Sequence, residues 1–296
     1  MDQQLELKAF AKVNLGLDVL RRREDGYHEV SMVMQSIRLF DRLILSINPY
    51  GDIRLTSNLS HLPLNENNLV YQAIDIMRKE YGIKDGISAQ IEKHIPIAAG
   101  LAGGSSDAAA ALIGMNQMFS LGIREQRLMD LGVTLGADIP FCIMRGTALS
   151  QGIGEILTPL PPVPECWLLI VKPSFSMSTR FVYQHLDPAT AFHPDIDGMV
   201  EAIRKGDLAG MTEKMGNSLE QVTAAHFPDI ISMKEKMTEL GAMNAIMSGS
   251  GSTVFGVFDH KESADEAAAV FRKEPGIRLA AAVRPYNSIR KRNLKS

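Results

Sequence analysis

Hydrophobic and polar positions alternate without a break from Leu5 to Val19. Leu5, Leu7, Ala9, Ala11, Val13, Leu15, Leu17 and Val19 share one face, and Glu6, Lys8, Phe10, Lys12, Asn14, Gly16 and Asp18 the other. Period two over that length predicts a long strand or a bent pair of strands, with Lys12 and Asn14 side by side on a polar outer face. Asp25-Gly26 marks a turn, and Val30 onward predicts a second strand with Tyr27 and His28 at its mouth. Asn67 or Asn68 caps a helix to about Tyr81 that Gly82 stops, with Leu69, Ala73, Ile76 and Met77 facing inward. A strand over 87–92 leads into Pro96 and a run of small residues, PIAAGLAGGSSDAAAAL, whose second half is a buried helix.

A further helix is predicted over 125–135, with Gly136 as its stop and Asp138 on a loop before an apolar strand over 141–144. Pro159, Pro161, Pro162 and Pro164 are too many to lie inside an element, so the domain boundary falls there, giving domains 1–160 and 161–296. Beyond it come a strand over 167–171 and a helix capped by Thr179 that carries Phe181 and Tyr183. Helical segments follow at about 195–215 and 227–240, then strand, small-residue turn and strand over 244–258, a helix over 261–273 and a strand near 279–284. Strands and helices mixed in this way make an α+β protein.

Hydrophobic residues at 45% and charged residues at 22% are ordinary for a soluble globular chain, and 296 residues suffice for two cores. A net charge of −3 argues against binding along a nucleic-acid backbone. Arg290-Lys291-Arg292 and Lys295 form a locally basic end, expected to be a frayed, solvated segment. The start, MDQQLELK, lacks the features of a signal peptide, and no apolar run is long enough to span a bilayer, so cytoplasm is the expected location. Cys142 and Cys166 sit among apolar residues without metal spacing and are expected as buried thiols, and the seven histidines are scattered.

The chemistry concentrates in the small-residue run. Gly100, Gly103 and Gly104 allow close backbone approach and positive φ, and Ser105 and Ser106 are good N-caps for the helix beyond. A fixed helix N-terminus offers free N–H groups and partial positive charge to an anion such as a triphosphate. The run has neither the lysine of G-x-x-x-x-G-K-[ST] nor the spacing of G-x-G-x-x-G. Phosphate charge must therefore be met by backbone N–H groups, serine hydroxyls and a metal ion. Asp107 would repel a triphosphate unless it faces that metal or points away. Tyr27 and His28 are placed either to stack on and hydrogen-bond a base or to plug a strand end.

Three stretches together carry a resemblance: the Lys12/Asn14 strand, the loop over 96–106 and SGSGST at 248–253. The set resembles the three motifs of the GHMP small-molecule kinases. AKVNLGLDV, DGYHEV, AGLAGGSSDAAAAL, LGADIPFC, GIGEILTPL and MSGSGSTVF, in that order, look like the branch that phosphorylates the 2-hydroxyl of a cytidine diphosphate-linked methylerythritol in non-mevalonate isoprenoid synthesis. The resemblance implies a two-domain fold: an N-terminal ribosomal-protein-S5-domain-2-like ATP-binding domain and a C-terminal ferredoxin-like α/β sandwich that binds substrate.

It implies Asp138 as general base and Lys12 as the catalytic cation, Asn14 as a substrate-positioning residue, and Tyr27, His28, Thr179 and Tyr183 as substrate contacts. His28 would hydrogen-bond the cytosine edge and Tyr183 would stack on its other face. Pro96, Ala98, Ala99, Gly100, Leu101, Ala102, Gly103, Gly104, Ser105 and Ser106 would hold ATP, with Ser248, Gly249, Ser250 and Gly251 as the third motif and Ser105 and Asp107 as candidate Mg2+ ligands. Ala98, Ala99 and Ala102 stand where many members carry glycine or serine, which requires φ < 0 there or some strain. The partner implied is a small molecule, with the chain a monomer or homodimer. Two other readings remain: a kinase of the same superfamily with another alcohol acceptor, against which Tyr27, His28 and Tyr183 speak, and a non-catalytic nucleotide- or metabolite-binding relative, against which intact Lys12 and Asp138 speak.

Overall fold

The computed structural model describes residues 4–287, so the basic end at 290–295 lies outside the described residues. The chain runs β1 Gln4–Arg22, β2 His28–Asn48, β3 Ile53–Ser57, α1 Leu69–Tyr81, β4 Gly86–Glu92, α2 Gly103–Met118, α3 Glu125–Val133, α4 Ile139–Met144, β5 Thr147–Gly152 and β6 Ile156–Pro159. After the prolines come β7 Trp167–Pro173, α5 Thr179–His185, α6 Ile196–Lys205, α7 Leu208–Glu213, β8 Gly216–Asn217, α8 Glu220–His226, α9 Asp229–Glu239, β9 Asn244–Met247, β10 Val254–Phe258, α10 Lys261–Phe271 and β11 Ile277–Val283. One sheet has the order β3-β4-β2-β1-β8, with β5 and β6 on the other stretch of β2; the second has the order β11-β7-β10-β9. Among the described residues β8 crosses the proline divide, pairing parallel with β1 at Gly16 and Leu17, and an isolated antiparallel bridge joins Ile37 to Pro285.

β1 confirms the period-two strand but overturns its polar outer face, because every residue from Ala11 to Val19 is buried. Register shifts against β2 interrupt the pairing between Phe10 and Lys12, between Asn14 and Gly16, and between Val19 and Arg21. The first two divide the apolar stripe among three cores. Leu7 and Ala9 pack with α1 and α2, Ala11, Val13 and Leu15 with α6 and β7, and Leu17 and Val19 with α9 and α10. Irregular pairing of this kind re-aims side chains, here around Lys12 and Asn14.

Cap chemistry explains several helix boundaries. Asn68 caps α1 by accepting from the Val70 N–H, and Gly82 closes it in the left-handed region. Its inward face is Val70, Ala73, Ile74 and Met77, shifted from the expected set at Leu69 and Ile76. α5 is capped by Ser178 instead of Thr179. α3 stops at Val133, earlier than expected. The helical stretch over 195–215 is two helices, because Gly206 ends α6 and Asp207 caps α7. The expected strand over 141–144 is the helix α4: Pro140 in its first turn favours a helix start, and all six residues are buried. Cys142 and Cys166 are buried free thiols, as expected.

Candidate active site

α2 starts the site. It begins at Gly103, two residues before the expected serine caps, and its N-cap is Ala102 in the left-handed region with no side-chain cap bond. The backbone carries out the turn at a cost: Ala98 (φ 51°) and Ala102 (φ 55°) both occupy a region that costs an L-residue about 1–2 kcal/mol. Three bonds hold the loop between them. The Lys12 N–H donates to the Leu101 carbonyl (3.1 Å), the Ser248 hydroxyl to that of Gly100 (2.9 Å) and the Thr253 N–H to that of Ala99 (3.4 Å). Gly100 is irreplaceable there, since a Cβ would lie 2.1 Å from the Ser248 carbonyl oxygen. β1, the loop and the third motif are thus stitched into one wall.

That wall bounds a cavity of about 1060 Å³. Lys12, Asn14, Tyr27, His28, Asp138, Thr179 and Tyr183 line it, as do Pro96, Ala98, Ala99, Gly100, Ala102, Gly103, Gly104, Ser105, Asp107, Gly249 and Ser250. The remaining predicted residues lie behind it. Leu101 packs into the core. Ser106 is buried with its hydroxyl donating to the Phe10 carbonyl (2.6 Å), Ser248 bonds to Gly100, and Gly251 lies within the turn beyond Ser250.

Lys12 is 5% exposed and donates to Asn14 Oδ1 (2.7 Å). Asn14, fully buried, places its Nδ2 3.3 Å from Met32 Sδ. The Lys12 ammonium stands 3.9 Å from Asp138 Oδ2, and the aspartate side chain stays 37% exposed to the cavity. Asp138 is the N-cap residue of α4 but makes no cap bond, so its carboxylate is free to face inward. A buried cation beside a cavity-facing carboxylate can accept a hydroxyl proton on one group and stabilise negative charge with the other.

Tyr27 and His28 line the same cavity from the turn before β2 and the start of β2. Tyr27 is 61% exposed, and the rings of His28 and Tyr183 are 5.2 Å apart at 40°. Burial, with the charge of Arg22 adding, lowers the His28 pKa and favours the neutral imidazole. Burial, and then the negative charge of Asp138, raise that of the Tyr183 phenol, keeping it a hydroxyl. Thr179 Oγ1 and Ser250 Oγ share a hydrogen bond of 2.8 Å, which ties α5 to the third motif.

The structure adds residues that sequence reasoning passed over. The loop itself contains no lysine, yet Lys93 reaches the cavity from the end of β4 and bonds to Asp107 Oδ2 (2.6 Å) and to Asp41. Burial acts to lower the Lys93 pKa, but Asp107 and Asp41 outweigh it and raise it; burial raises that of Asp107. Asp107 Oδ1 is buried with no hydrogen-bond partner among the described residues. Asn217 Nδ2 donates to the carbonyls of Met247 and Gly249, each at 2.8 Å, fixing the third motif from β8. Lys93 stands three residues ahead of Pro96, a proximity visible in the sequence; Asn217 has no comparable signal. Among the described residues no group of three or more histidines, cysteines and acids could hold a metal ion.

Comparison with known proteins adds to this geometry. The GHMP kinases N terminal domain matches residues 68–146, and the GHMP kinases C terminal region matches residues 199–277. The chain is 54% identical to a 4-diphosphocytidyl-2-C-methyl-D-erythritol kinase of Lachnospira eligens, over 88% of this chain and 91% of that one. It is 51% identical to the protein of the same name from Lachnoclostridium phytofermentans, over 92% and 94%. A crystal structure of 4-(cytidine 5'-diphospho)-2C-methyl-D-erythritol kinase superimposes with a TM-score of 0.79 at 32% identity, covering 95% of this chain and 99% of that one. Homoserine kinase from Cytophaga hutchinsonii shares the fold, with a TM-score of 0.78 at 19% identity over 97% and 96% of the two chains.

Proposed function

The chain belongs to the 4-diphosphocytidyl-2-C-methyl-D-erythritol kinases of the GHMP kinase family, and from that premise we propose how its residues divide the reaction between them. It is an ATP-dependent small-molecule kinase with this cytidyl compound as acceptor. Phosphoryl transfer asks little covalent chemistry of a protein and much positioning. The loop over 96–105 and the N-terminus of α2 bind the triphosphate through backbone N–H groups and the Ser105 hydroxyl. Asp138 takes the proton from the acceptor 2-hydroxyl as that oxygen attacks the γ-phosphorus and the bond to the ADP oxygen breaks. Lys12 stabilises the negative charge on the phosphoryl oxygens in transit, and Asn14 holds Lys12 and the acceptor in register. The observation that carries this is the meeting of Lys12, Asn14 and Asp138 in the same cavity wall as the glycine-rich loop.

Mg2+ supplies charge neutralisation on the triphosphate in such kinases. The residues present suit it: Ser105 lines the cavity and Asp107 Oδ1 is a buried carboxylate oxygen with no hydrogen-bond partner among the described residues, so these two would hold the ion. His28, kept neutral, reads the cytosine edge, and Tyr27 and Tyr183 supply stacking surface. The 5.2 Å between the His28 and Tyr183 rings leaves no room for a base between those two, so the base lies alongside them. The reading carries with it a cytoplasmic enzyme, monomer or homodimer, acting on a small molecule and not on nucleic acid. None of its described helices is long and apolar enough to cross a membrane.

The test is ADP release with Mg-ATP and, in parallel, 4-diphosphocytidyl-methylerythritol, methylerythritol 4-phosphate, homoserine and mevalonate. Turnover on the cytidyl compound alone is expected. Turnover on another alcohol would overturn the roles given to Tyr27, His28 and Tyr183.

A further inference from the structure

Beneath the phosphate loop lies a buried ion triad, Lys93 with Asp41 and Asp107, in which Asp41 and Lys93 have no part in the reaction scheme. Lys93 is 7% exposed and its ammonium bonds to Asp107 Oδ2 at 2.6 Å and to Asp41 Oδ2. Asp41, fully buried on β2, turns its other oxygen to the backbone N–H groups of His94 and Ile95 (2.8 Å to the latter). One carboxylate thus fastens the chain at 93–95, immediately before the loop, and the lysine carries the tie across to Asp107, in the second turn of α2, immediately after it. The loop has two stems, and the triad joins them.

The loop's conformation makes such a tie consequential. Ala98 and Ala102 are held at positive φ, so a loop released at its stems would relax away from the shape that presents its N–H groups. Gly103 sits directly over the lysine: a Cβ there would lie 3.2 Å from Lys93 Nζ and 3.1 Å from Ile95 Cγ2. The first helical turn therefore seats on the triad with no side chain between them. Asp41 does not line the cavity, so it reaches the nucleotide only through what it holds.

We propose that Asp41 and Lys93 are positioning residues for the nucleotide, locking the two stems of the phosphate loop so that its strained backbone stands ready for ATP before ATP arrives. The inference rests on the assignment of this loop to ATP. It is separable from the reaction: an unreactive ATP analogue reports on the loop whatever the acceptor proves to be.

Asp41→Asn keeps an oxygen for His94 and Ile95 and removes one of the two charges that grip Lys93. It is expected to raise the KM for ATP about tenfold while the KM for the cytidyl acceptor stays within about twofold and kcat at saturating ATP within about threefold. Analogue affinity by calorimetry should fall by the same factor as KM rises. Amide exchange over 96–104 should quicken while α9, in the other half of the molecule, keeps its wild-type rates. Lys93→Met combined with Asp41→Asn removes the cation and one anion together, so it is the companion variant if the single one fails to fold, and the same split is expected. A lowered melting temperature with both KM values and the analogue affinity unchanged would overturn the proposal, as would equal rises in the two KM values. Wild-type protein that binds the analogue but turns over no acceptor would count against the kinase reading and leave the calorimetric test of the triad in force.

Discussion

Among the residues lining the cavity, Lys12 and Asn14 are buried in β1, bonded to each other and locked by the stitched loop. By contrast Tyr27 is 61% exposed, and His28 and Tyr183 touch each other across the gap between β2 and α5. The groups proposed to act on the phosphates stand on strands and a helix terminus. The groups proposed to recognise the acceptor stand on a turn and a seven-residue helix. The difference follows from what each has to do. Charge that develops in a transition state is stabilised only by groups already in place, because reorganisation then adds to the barrier. A bulky acceptor must enter and leave, and its head group can be met by side chains that adjust. Changes to the first set should therefore fall on kcat and changes to the second on the acceptor KM.

The largest effect should come from Asp138→Asn. Loss of a positioned general base costs about 10²–10⁴ in rate, so kcat should fall about a thousandfold with ATP affinity by calorimetry unchanged. A kcat within a few-fold of wild type would remove Asp138 from the role of base. Lys12→Met should follow, lowering kcat by about 10²–10³, the range for deleting one preorganised electrostatic group. Its ammonium also satisfies Asn14 Oδ1, so thermal melting belongs beside the kinetics: a loss of stability without loss of kcat would make Lys12 structural.

His28→Ala tests the other side of the comparison. The acceptor KM should rise about tenfold, the worth of one hydrogen bond plus ring contact, with kcat within about threefold. Unchanged acceptor KM would end the case for base recognition at this position. The pH dependence sharpens the same point. The lowered His28 pKa means the imidazole is neutral at and above its ordinary value near 6.5, so acceptor KM should be flat from about pH 7 upward and change only in acid. A change centred above pH 7 would contradict the burial that sets this shift.

The contrast between the two sets also governs what could be seen in the sequence. The alternation over 5–19, the Asn68 and Gly82 caps and the strand–turn–strand at 244–258 are local patterns with local causes, and the structure repeats them. The polar face of β1 looked solvent-facing because period two states which residues share a side and nothing about what covers it. Here the loop over 96–105, Asp138 and the turn at Gly249 enclose Lys12 and Asn14, all brought there from distant parts of the chain. Register shifts that divide one apolar stripe among three cores leave the alternation itself unbroken. Lys93 escaped notice because its partner Asp41 lies 52 positions away on another strand. The short apolar run at 141–144 was ambiguous between strand and helix, and Pro140 in the first turn decides it.

The smallest effect concerns the strain itself. Ala98 and Ala102 hold φ values of 51° and 55°, where glycine sits without penalty. Ala98→Gly would relieve about 1–2 kcal/mol in the folded state, while the greater freedom of glycine when unfolded takes back roughly half. A net gain of about 0.5–1 kcal/mol is expected, read as a rise of about 2 °C in Tm. Stability and function should then part company. If the loop's shape is imposed by its stems and by Ser248, a glycine at 98 leaves that shape intact, and KM for ATP should stay within about twofold. If the alanine methyls themselves hold the shape, the glycine variant would gain stability and lose ATP affinity together. That outcome would move the source of preorganisation from the ion triad to the loop's own backbone, and thermal melting run beside the ATP titration distinguishes the two.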